Sequence, residues 1–149
     1  MTDLVPSQRW PSGLAALEAA VDGARSLSIA VAFVTESGVA KLAEVLEPLG
    51  ELDLEVVARA GGVTTPTALQ ALRDRLGARV SVAIGRDSMR FHPKLWLARS
   101  EGELSALSGS GNLTLGGLEQ NIEQFELAKM PLTSEEAFLV GVVRASVLA

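Results

Sequence analysis

A histidine and a lysine stand two residues apart in the stretch FHPKLWLA, and His92 is the only histidine of the chain. The apolar residues of this stretch predict a β-strand, in which alternate side chains point to opposite faces. His92, Lys94 and Trp96 therefore share one face, and the residues between them point into a core. An imidazole can act as a nucleophile or a general acid, and an ammonium group can hold an anion. Such a pair also occurs by chance on many strands, so alone it assigns no function.

The stretch LSGSGNLTLGG, which follows a predicted strand, is rich in small and polar residues. A loop of this composition can turn several backbone N–H groups inward and bind anionic oxygens. Asn112 would add two amide donors, and serine hydroxyl groups would add others. The candidate substrate-binding residues are therefore Ser108, Gly109, Ser110 and Gly111. A plain turn explains the same composition equally well.

A carboxylate, Glu123, lies in the next apolar stretch, NIEQFEL. The period of two places it on one face with Phe125 and Leu127, where burial is costly unless the carboxylate has a partner. His92 is the expected partner, because its second ring nitrogen needs an acceptor that fixes the tautomer. The alternative is that the strand edge exposes Glu123 to water.

The composition excludes several classes of protein. The chain has 149 residues, of which 48% are hydrophobic, so it is long enough for a buried core and is not disordered. It has no cysteine and one histidine, which excludes disulfides, thiolate metal sites and a histidine-rich zinc cluster. The N-terminus lacks the pattern of a secretion signal and the apolar runs are too short to cross a bilayer, so we expect a cytoplasmic protein without a membrane partner.

The net charge of −5 argues against a nucleic-acid partner, but the charges are unevenly distributed along the sequence. Residues 73–99 contain seven basic and two acidic residues, whereas the rest of the chain contains six basic and sixteen acidic residues. This distribution predicts positive charge around His92, where a polyanion could bind. An ordinary solvated surface is the equally good alternative.

Hydrophobic periodicity and capping residues predict alternating strands and helices, followed by consecutive strands. The predicted helices cover residues 11–24, 35–49, 64–77 and 134–149. The predicted strands cover residues 26–34, 53–59, 79–85, 91–99, 103–109 and 122–129. Pro93 lacks an N–H donor, which suits the end of a strand. The expected fold is an α/β sandwich with a mixed β-sheet flanked by helices, in one domain over residues 1–149.

The segments HPK, GSGNLT and NIE, in this order and spacing, resemble the motif of the phospholipase D superfamily. The likeness is greatest to its single-motif nuclease branch, which includes metal-independent bacterial endonucleases. It extends over most of the chain, because AVAFVTESGVAKLAEVL is similar to the first strand and helix of that branch and ARAGGVTTPTALQAL to the segment that follows. The fold that this resemblance implies is the phospholipase D-like α/β sandwich.

The resemblance implies a role for each matching residue. His92 corresponds to the nucleophile, Lys94 to the phosphate-binding lysine and Asn112 to the phosphate-contacting asparagine. Glu123 corresponds to the acid that orients the histidine, and Ser110 lies in the Gly-Ser loop. The full family signature has an aspartate shortly after the lysine, where this chain has LWLARSEGE. That departure makes a lipid substrate less favoured than a nucleic acid, most simply DNA.

One histidine per chain leads to a prediction about assembly. Cleavage through a covalent phosphohistidine needs a nucleophile and also an acid that protonates the leaving oxygen. This chain has a single motif copy, so the hypothesis requires a C2 homodimer with one composite site at the two-fold axis. Lysine and amide donors would stabilise the charge, so no metal and no other cofactor is expected. Trp96 is a candidate for the dimer interface, and core packing is its alternative.

Two other functions remain open from the sequence. One is a catalytically silent module that binds DNA or dimerises as part of a larger system. The other is a phosphodiesterase that acts on lipids or small molecules, which the absence of a basic amphipathic helix disfavours.

Overall fold

The computed structural model describes residue 10 and residues 12–83, 92–120 and 123–133. Three α-helices lie in this part of the chain, α1 (Gly13–Val21), α2 (Glu36–Leu46) and α3 (Pro66–Leu76). Its strands are β1 (Ser26–Val31), β2 (Asp53–Arg59), β3 (Arg79–Ala83), β4 (Lys94–Ser100), β5 (Glu103–Gly109) and β6 (Phe125–Pro131). A 3₁₀ turn at Glu47–Leu49 follows α2, and a single π-helical turn covers Gly116–Gln120.

The strands form one mixed sheet in the order β3-β2-β1-β4-β5-β6. Strands β1, β2 and β3 are parallel, whereas β4, β5 and β6 join the sheet as antiparallel neighbours. Parallel neighbours need a crossover, and helices α2 and α3 provide these connections. The predicted fold class, an α/β fold with a mixed sheet flanked by helices, is confirmed.

This topology brings the ends of separate strands to one edge of the sheet. At this edge, carboxyl ends of strands (β1, β2, β3 and β5) lie beside amino ends (β4 and β6). The ends alternate because β1 and β4, β4 and β5, and β5 and β6 are antiparallel neighbours. The loops that leave these strand ends are therefore neighbours in space although they are distant in sequence. This edge is called the motif edge below, because the segments HPK and GSGNLT and the residue Glu123 lie at it.

The three described helices begin one or two residues after their predicted starts, each directly after a residue whose side chain caps it. The hydroxyl groups of Ser12, Thr35 and Thr65 accept hydrogen bonds from the backbone N–H three residues later, at 3.1–3.2 Å. Helix α3 ends at Gly77, which adopts the left-handed conformation (φ 65°) that glycine tolerates best. The predicted helix over residues 134–149 lies outside the described residues.

Several strand ends differ from the predictions. Strand β4 begins at Lys94, so the prediction that His92 lies on a strand is wrong; Pro93 has no N–H to give to the ladder, and the pairing with β1 starts one residue later. Strand β1 ends at Val31, three residues earlier than predicted. Strand β6 begins at Phe125 and not at residue 122.

The main core lies between the sheet and the described helices. Trp96 is only 1% exposed and packs there with the apolar residues of α1, α2 and α3. Its register partners are Ile29 on β1 and Leu107 on β5, which belong to the same core. The prediction that Trp96 is an interface residue is therefore wrong, and its alternative, core packing, is confirmed.

A smaller cluster lies on the other face of the sheet, where Leu95 and Leu97 pack with apolar residues of β5 and β6. Within the described ranges, no helix is long and apolar enough to cross a membrane.

Helix α2 approaches the loop after β5 so closely that only glycine fits in its first turn. A Cβ atom on Gly38 would collide with the carbonyl group of Leu113 and lie 2.7 Å from the Cα of Thr114. Glycine inside a helix normally costs stability relative to alanine, so its presence here reflects the need for space.

We expect the substitution Gly38→Ala to lower the free energy of unfolding by about 1–3 kcal/mol, because the added methyl group pushes α2 away from the loop. Urea denaturation followed by circular dichroism measures this change. Ser37→Ala, at the exposed neighbouring position of the same turn, is the control and should change the free energy by less than about 0.5 kcal/mol. A stabilised Gly38→Ala variant would contradict the close approach.

Candidate active site

The predicted catalytic residues converge at the motif edge of the sheet. Lys94 is the first residue of β4 and pairs with Val31 at the end of β1. Asn112 follows β5, and Glu123 precedes β6. The last pair of the β5–β6 ladder joins Gly109 to Phe125, so the loop after β5 and the segment before β6 leave the sheet side by side.

His92 and Lys94 are in direct contact. The Nζ atom of Lys94 lies 2.8 Å from Nε2 of His92. An ammonium group can only donate, so Nε2 accepts and the ring proton resides on Nδ1. His92 is exposed and Lys94 is half-buried. The lone pair of Nε2 thus points toward the cation.

Asn112 is held with a defined orientation. The backbone N–H of Phe33, just after β1, donates to Oδ1 of Asn112 at 3.1 Å. The next residue of the loop is also tied down, because the N–H of Thr35 donates to the carbonyl oxygen of Leu113 at 3.0 Å. With Oδ1 occupied, the amide group presents its two Nδ2 hydrogens as donors, and no acceptor within the described ranges takes them.

Glu123 is bonded to the loop after β5. The hydroxyl group of Ser110 donates to Oε2 of Glu123 and accepts from the N–H of Gln124 at 3.0 Å. The N–H of Ser110 in turn donates to the carbonyl oxygen of Gln124 at 3.0 Å. Ser110 thus connects the loop to the strand that follows. The orientation of His92 by Glu123 stays a prediction.

The glycines of the loop are needed for close packing. Neither Gly109 nor Gly111 has a positive φ. A Cβ atom on Gly109 would collide with the backbone of Gln124, and one on Gly111 would collide with the ring of Phe125. The N–H of Ser110 is already committed within the protein, which leaves fewer donors for the predicted anion-binding loop than its composition suggests.

The remaining candidate, Ser108, lies on the other face of the sheet. It pairs with Leu95, whose side chain packs in the smaller apolar cluster, whereas the neighbouring Lys94 pairs with Val31 of the main core. Paired residues share a face, so the Ser108 hydroxyl points away from the face of Lys94. We therefore leave Ser108 out of the proposed substrate contacts.

Two residues at this edge were missed by the sequence analysis. The ring of Phe33 meets the imidazole of His92 edge to face, with 6.2 Å between the ring centroids and 78° between the planes. The guanidinium carbon of Arg59 lies 5.9 Å from the centroid of the same Phe33 ring. Both residues stand where parallel strands β1 and β2 end. Ligands bind at this position in many open α/β sheets, and that rule was the available signal.

The prediction that residues 73–99 concentrate positive charge around His92 is wrong for most of the described residues. Arg75 bonds to Glu47 after α2, and Arg79 pairs with Asp53 at the start of β2, so both lie at the opposite end of the sheet. Arg99 pairs with Ser26 at that same far end. Within the described ranges, Lys94 is the member of this window that reaches the motif edge.

The sequence matches no family model, and no curated protein is similar to it in sequence. Solved structures do match. NucT from Helicobacter pylori superposes with a TM-score of 0.61 at 14% identity, over 91% of this chain and 87% of NucT. Nuc from Salmonella typhimurium, a phospholipase D family member, superposes with a TM-score of 0.58 at 18% identity, over 85% of this chain and 81% of Nuc.

This chain has the phospholipase D fold. The resemblance that the motifs indicated is thereby confirmed at the level of the fold. A yeast tyrosyl-DNA phosphodiesterase matches as well, with a TM-score of 0.53 at 15% identity over 77% of this chain, but this chain spans only 28% of that protein.

We expect Asn112→Asp and Asn112→Ala to differ in stability, because only aspartate keeps a side-chain oxygen in the place of Oδ1. Aspartate keeps an acceptor for the N–H of Phe33, so the free energy of unfolding should stay within about 0.5 kcal/mol of the unsubstituted protein. Alanine leaves that N–H without its acceptor, so the free energy should fall by about 1–2 kcal/mol. Parallel urea denaturation curves measure both values. Equal stability of the two variants would contradict the role of Oδ1.

Proposed function

We propose that the protein is a metal-independent phosphodiesterase that cleaves DNA through a covalent phosphohistidine at the composite active site of a homodimer. The observation that carries this proposal is the contact of Lys94 Nζ with His92 Nε2, 2.8 Å apart, beside the oriented amide of Asn112. A nucleophile, a cation and amide donors therefore stand together at one edge of a phospholipase D fold.

In the first step, Nε2 of His92 attacks the phosphorus atom of the scissile phosphodiester. Lys94 turns from Nε2 to a non-bridging oxygen, and Nδ2 of Asn112 donates to another, which stabilises the charge that develops there. A P–N bond forms and the bond from phosphorus to the leaving oxygen breaks. The leaving oxygen takes its proton from the His92 imidazolium of the second subunit.

In the second step, a water molecule restores both histidines. The second subunit's imidazole, now neutral, removes a proton from water, and the hydroxide attacks phosphorus. The P–N bond breaks, its electron pair returns to Nε2 of His92, and a phosphate monoester leaves. Glu123, which Ser110 holds at the edge of the sheet, would stabilise the imidazolium through Nδ1.

Lys94 and Asn112 supply the positive charge and the hydrogen-bond donors that a divalent cation supplies in other phosphodiesterases. Among the described residues, no three histidine, aspartate or glutamate side chains form a cluster that could hold a metal ion. A nucleic-acid substrate is supported by the names of the structural neighbours, which include a tyrosyl-DNA phosphodiesterase.

Cleavage of DNA in excess EDTA tests the mechanism. We expect the protein to cut single- or double-stranded DNA under these conditions, and His92→Ala to reduce the rate more than about a thousandfold, because the nucleophile is lost. Ser108→Ala, on the opposite face of the sheet, is the matched control and should keep full activity. An activity that needs added metal, or that survives in His92→Ala, would overturn the mechanism. DNA binding without cleavage would instead indicate a silent binding module.

Mixing experiments test the composite site. An excess of His92→Ala subunits, exchanged with the unsubstituted protein, should inhibit cleavage, because each mixed dimer holds one histidine instead of two. The Ser108→Ala protein in the same excess should add activity. Analytical ultracentrifugation of each mixture reports the dimer. If the subunits exchange and the His92→Ala subunits still do not reduce the rate of cleavage, a single chain is sufficient for activity and the composite site is overturned.

A further inference from the structure

Arg59 occupies an unusual place among the cations of this protein. It is the last residue of β2, at the motif edge, and its guanidinium lies against the face of the Phe33 ring at 5.9 Å. The same ring contacts the imidazole of His92. Arg59 is thus connected to the proposed nucleophile through a single aromatic side chain.

The pairing of charges sets Arg59 apart from most other cations. Of the nine lysines and arginines that the structure describes, six lie within 4.0 Å of a carboxylate. The other three are Arg59, Lys94 and Arg99. Arg99 lies at the far end of β4, so the two cations without a carboxylate at the motif edge are the ones that flank His92.

An unpaired arginine held on an aromatic ring suits an anionic ligand. The contact with Phe33 restrains the guanidinium without using its N–H groups, which stay available for a planar, bidentate contact with phosphate. The turn that follows Arg59 is built of small residues and leaves space among the described parts of the chain. Gly61 and Gly62 both have positive φ, and a Cβ atom on Gly61 would meet nothing within 4 Å.

We propose that Arg59 binds the phosphate next to the scissile one, on the same nucleic-acid strand, and that Phe33 positions it for this contact. The inference rests on the proposed function, because His92 and Lys94 must hold the scissile phosphate. Among the described residues Arg59 contacts the Phe33 ring and makes no recorded contact with His92 or Lys94, so we assign it to a second anionic group. The protein would therefore favour strands with consecutive phosphates over isolated phosphodiesters.

The test compares substrates with and without a neighbouring phosphate. Bis(4-nitrophenyl) phosphate contains one phosphodiester and no neighbour, whereas a short thymidine oligonucleotide contains several. We expect Arg59→Ala to lower kcat/KM for the oligonucleotide by about tenfold or more, the loss typical of a charged hydrogen-bond partner, and to change kcat/KM for bis(4-nitrophenyl) phosphate by less than about twofold. Phe33→Leu should also lower kcat/KM for the oligonucleotide, because the guanidinium loses the ring that positions it.

Arg99→Ala is the matched control, because it removes one unpaired arginine and the same charge at the opposite end of the sheet. It should leave both substrates unaffected. Arg59→Lys should recover part of the oligonucleotide activity. Methylphosphonate at the neighbouring position of the oligonucleotide should remove the difference between the unsubstituted protein and Arg59→Ala.

Two failures can be told apart in this experiment. If the unsubstituted protein cleaves neither substrate, the proposed function is overturned and the inference falls with it. If the unsubstituted protein cleaves both and Arg59→Ala affects them equally, or Arg99→Ala causes the same loss as Arg59→Ala, then only the role of Arg59 is overturned.

Discussion

The site depends on the hydrogen bond from the backbone N–H of Phe33 to the side-chain oxygen of Asn112. This bond belongs to a short segment after β1 in which successive backbone groups bind different parts of the chain. The N–H of Val34 donates to Thr64 before α3, the N–H of Thr35 donates to Leu113, and the carbonyl of Ala32 accepts from Arg59. These hydrogen bonds therefore hold segments 32–35, 59–64 and 112–113 in one arrangement. The backbone just after β1 fixes the orientation of the Asn112 amide.

Close packing supports the same arrangement from the outside. Gly38 of α2 leaves room for the carbonyl group of Leu113, and Gly117 of the π-helical turn leaves room for the backbone of Asn112. Lys41 of α2 pairs with Glu119 of that turn at 3.3 Å, and this carboxylate raises the pKa of the lysine above its ordinary value. Backbone contacts of this kind restrict the motion of the loop. The entropic cost of ordering its hydrogen-bond donors around a substrate is therefore lower.

Local chemistry made most of the fold predictable from the sequence. The presence of the helices and strands is decided largely by neighbouring residues, so the patterns indicated these elements correctly. The wrong predictions concern features that depend on the order and direction of the strands in the sheet. Trp96 is a core residue because β4 lies between β1 and β5. Arg75 and Arg79 pair with acids far from His92 because they lie where α3 ends and β3 begins, at the end of the sheet opposite the motif edge. The contact between Phe33 and Arg59 joins the ends of two strands separated by a helix, so only the general rule that ligands bind at such strand ends could have pointed to these residues.

The separation of paired from unpaired cations gives the described part of the molecule an electrical polarity. The net charge of the whole chain is −5. At the far end of the sheet Arg25, Arg75 and Arg79 are matched by acids and Arg99 is not, whereas at the motif edge neither Lys94 nor Arg59 has a carboxylate within 4.0 Å among the described residues. If the protein binds a polyanion as proposed, this difference between the two ends would exert a torque that turns the motif edge toward the ligand. Orientation during diffusion, before any contact forms, would then select productive collisions over unproductive ones.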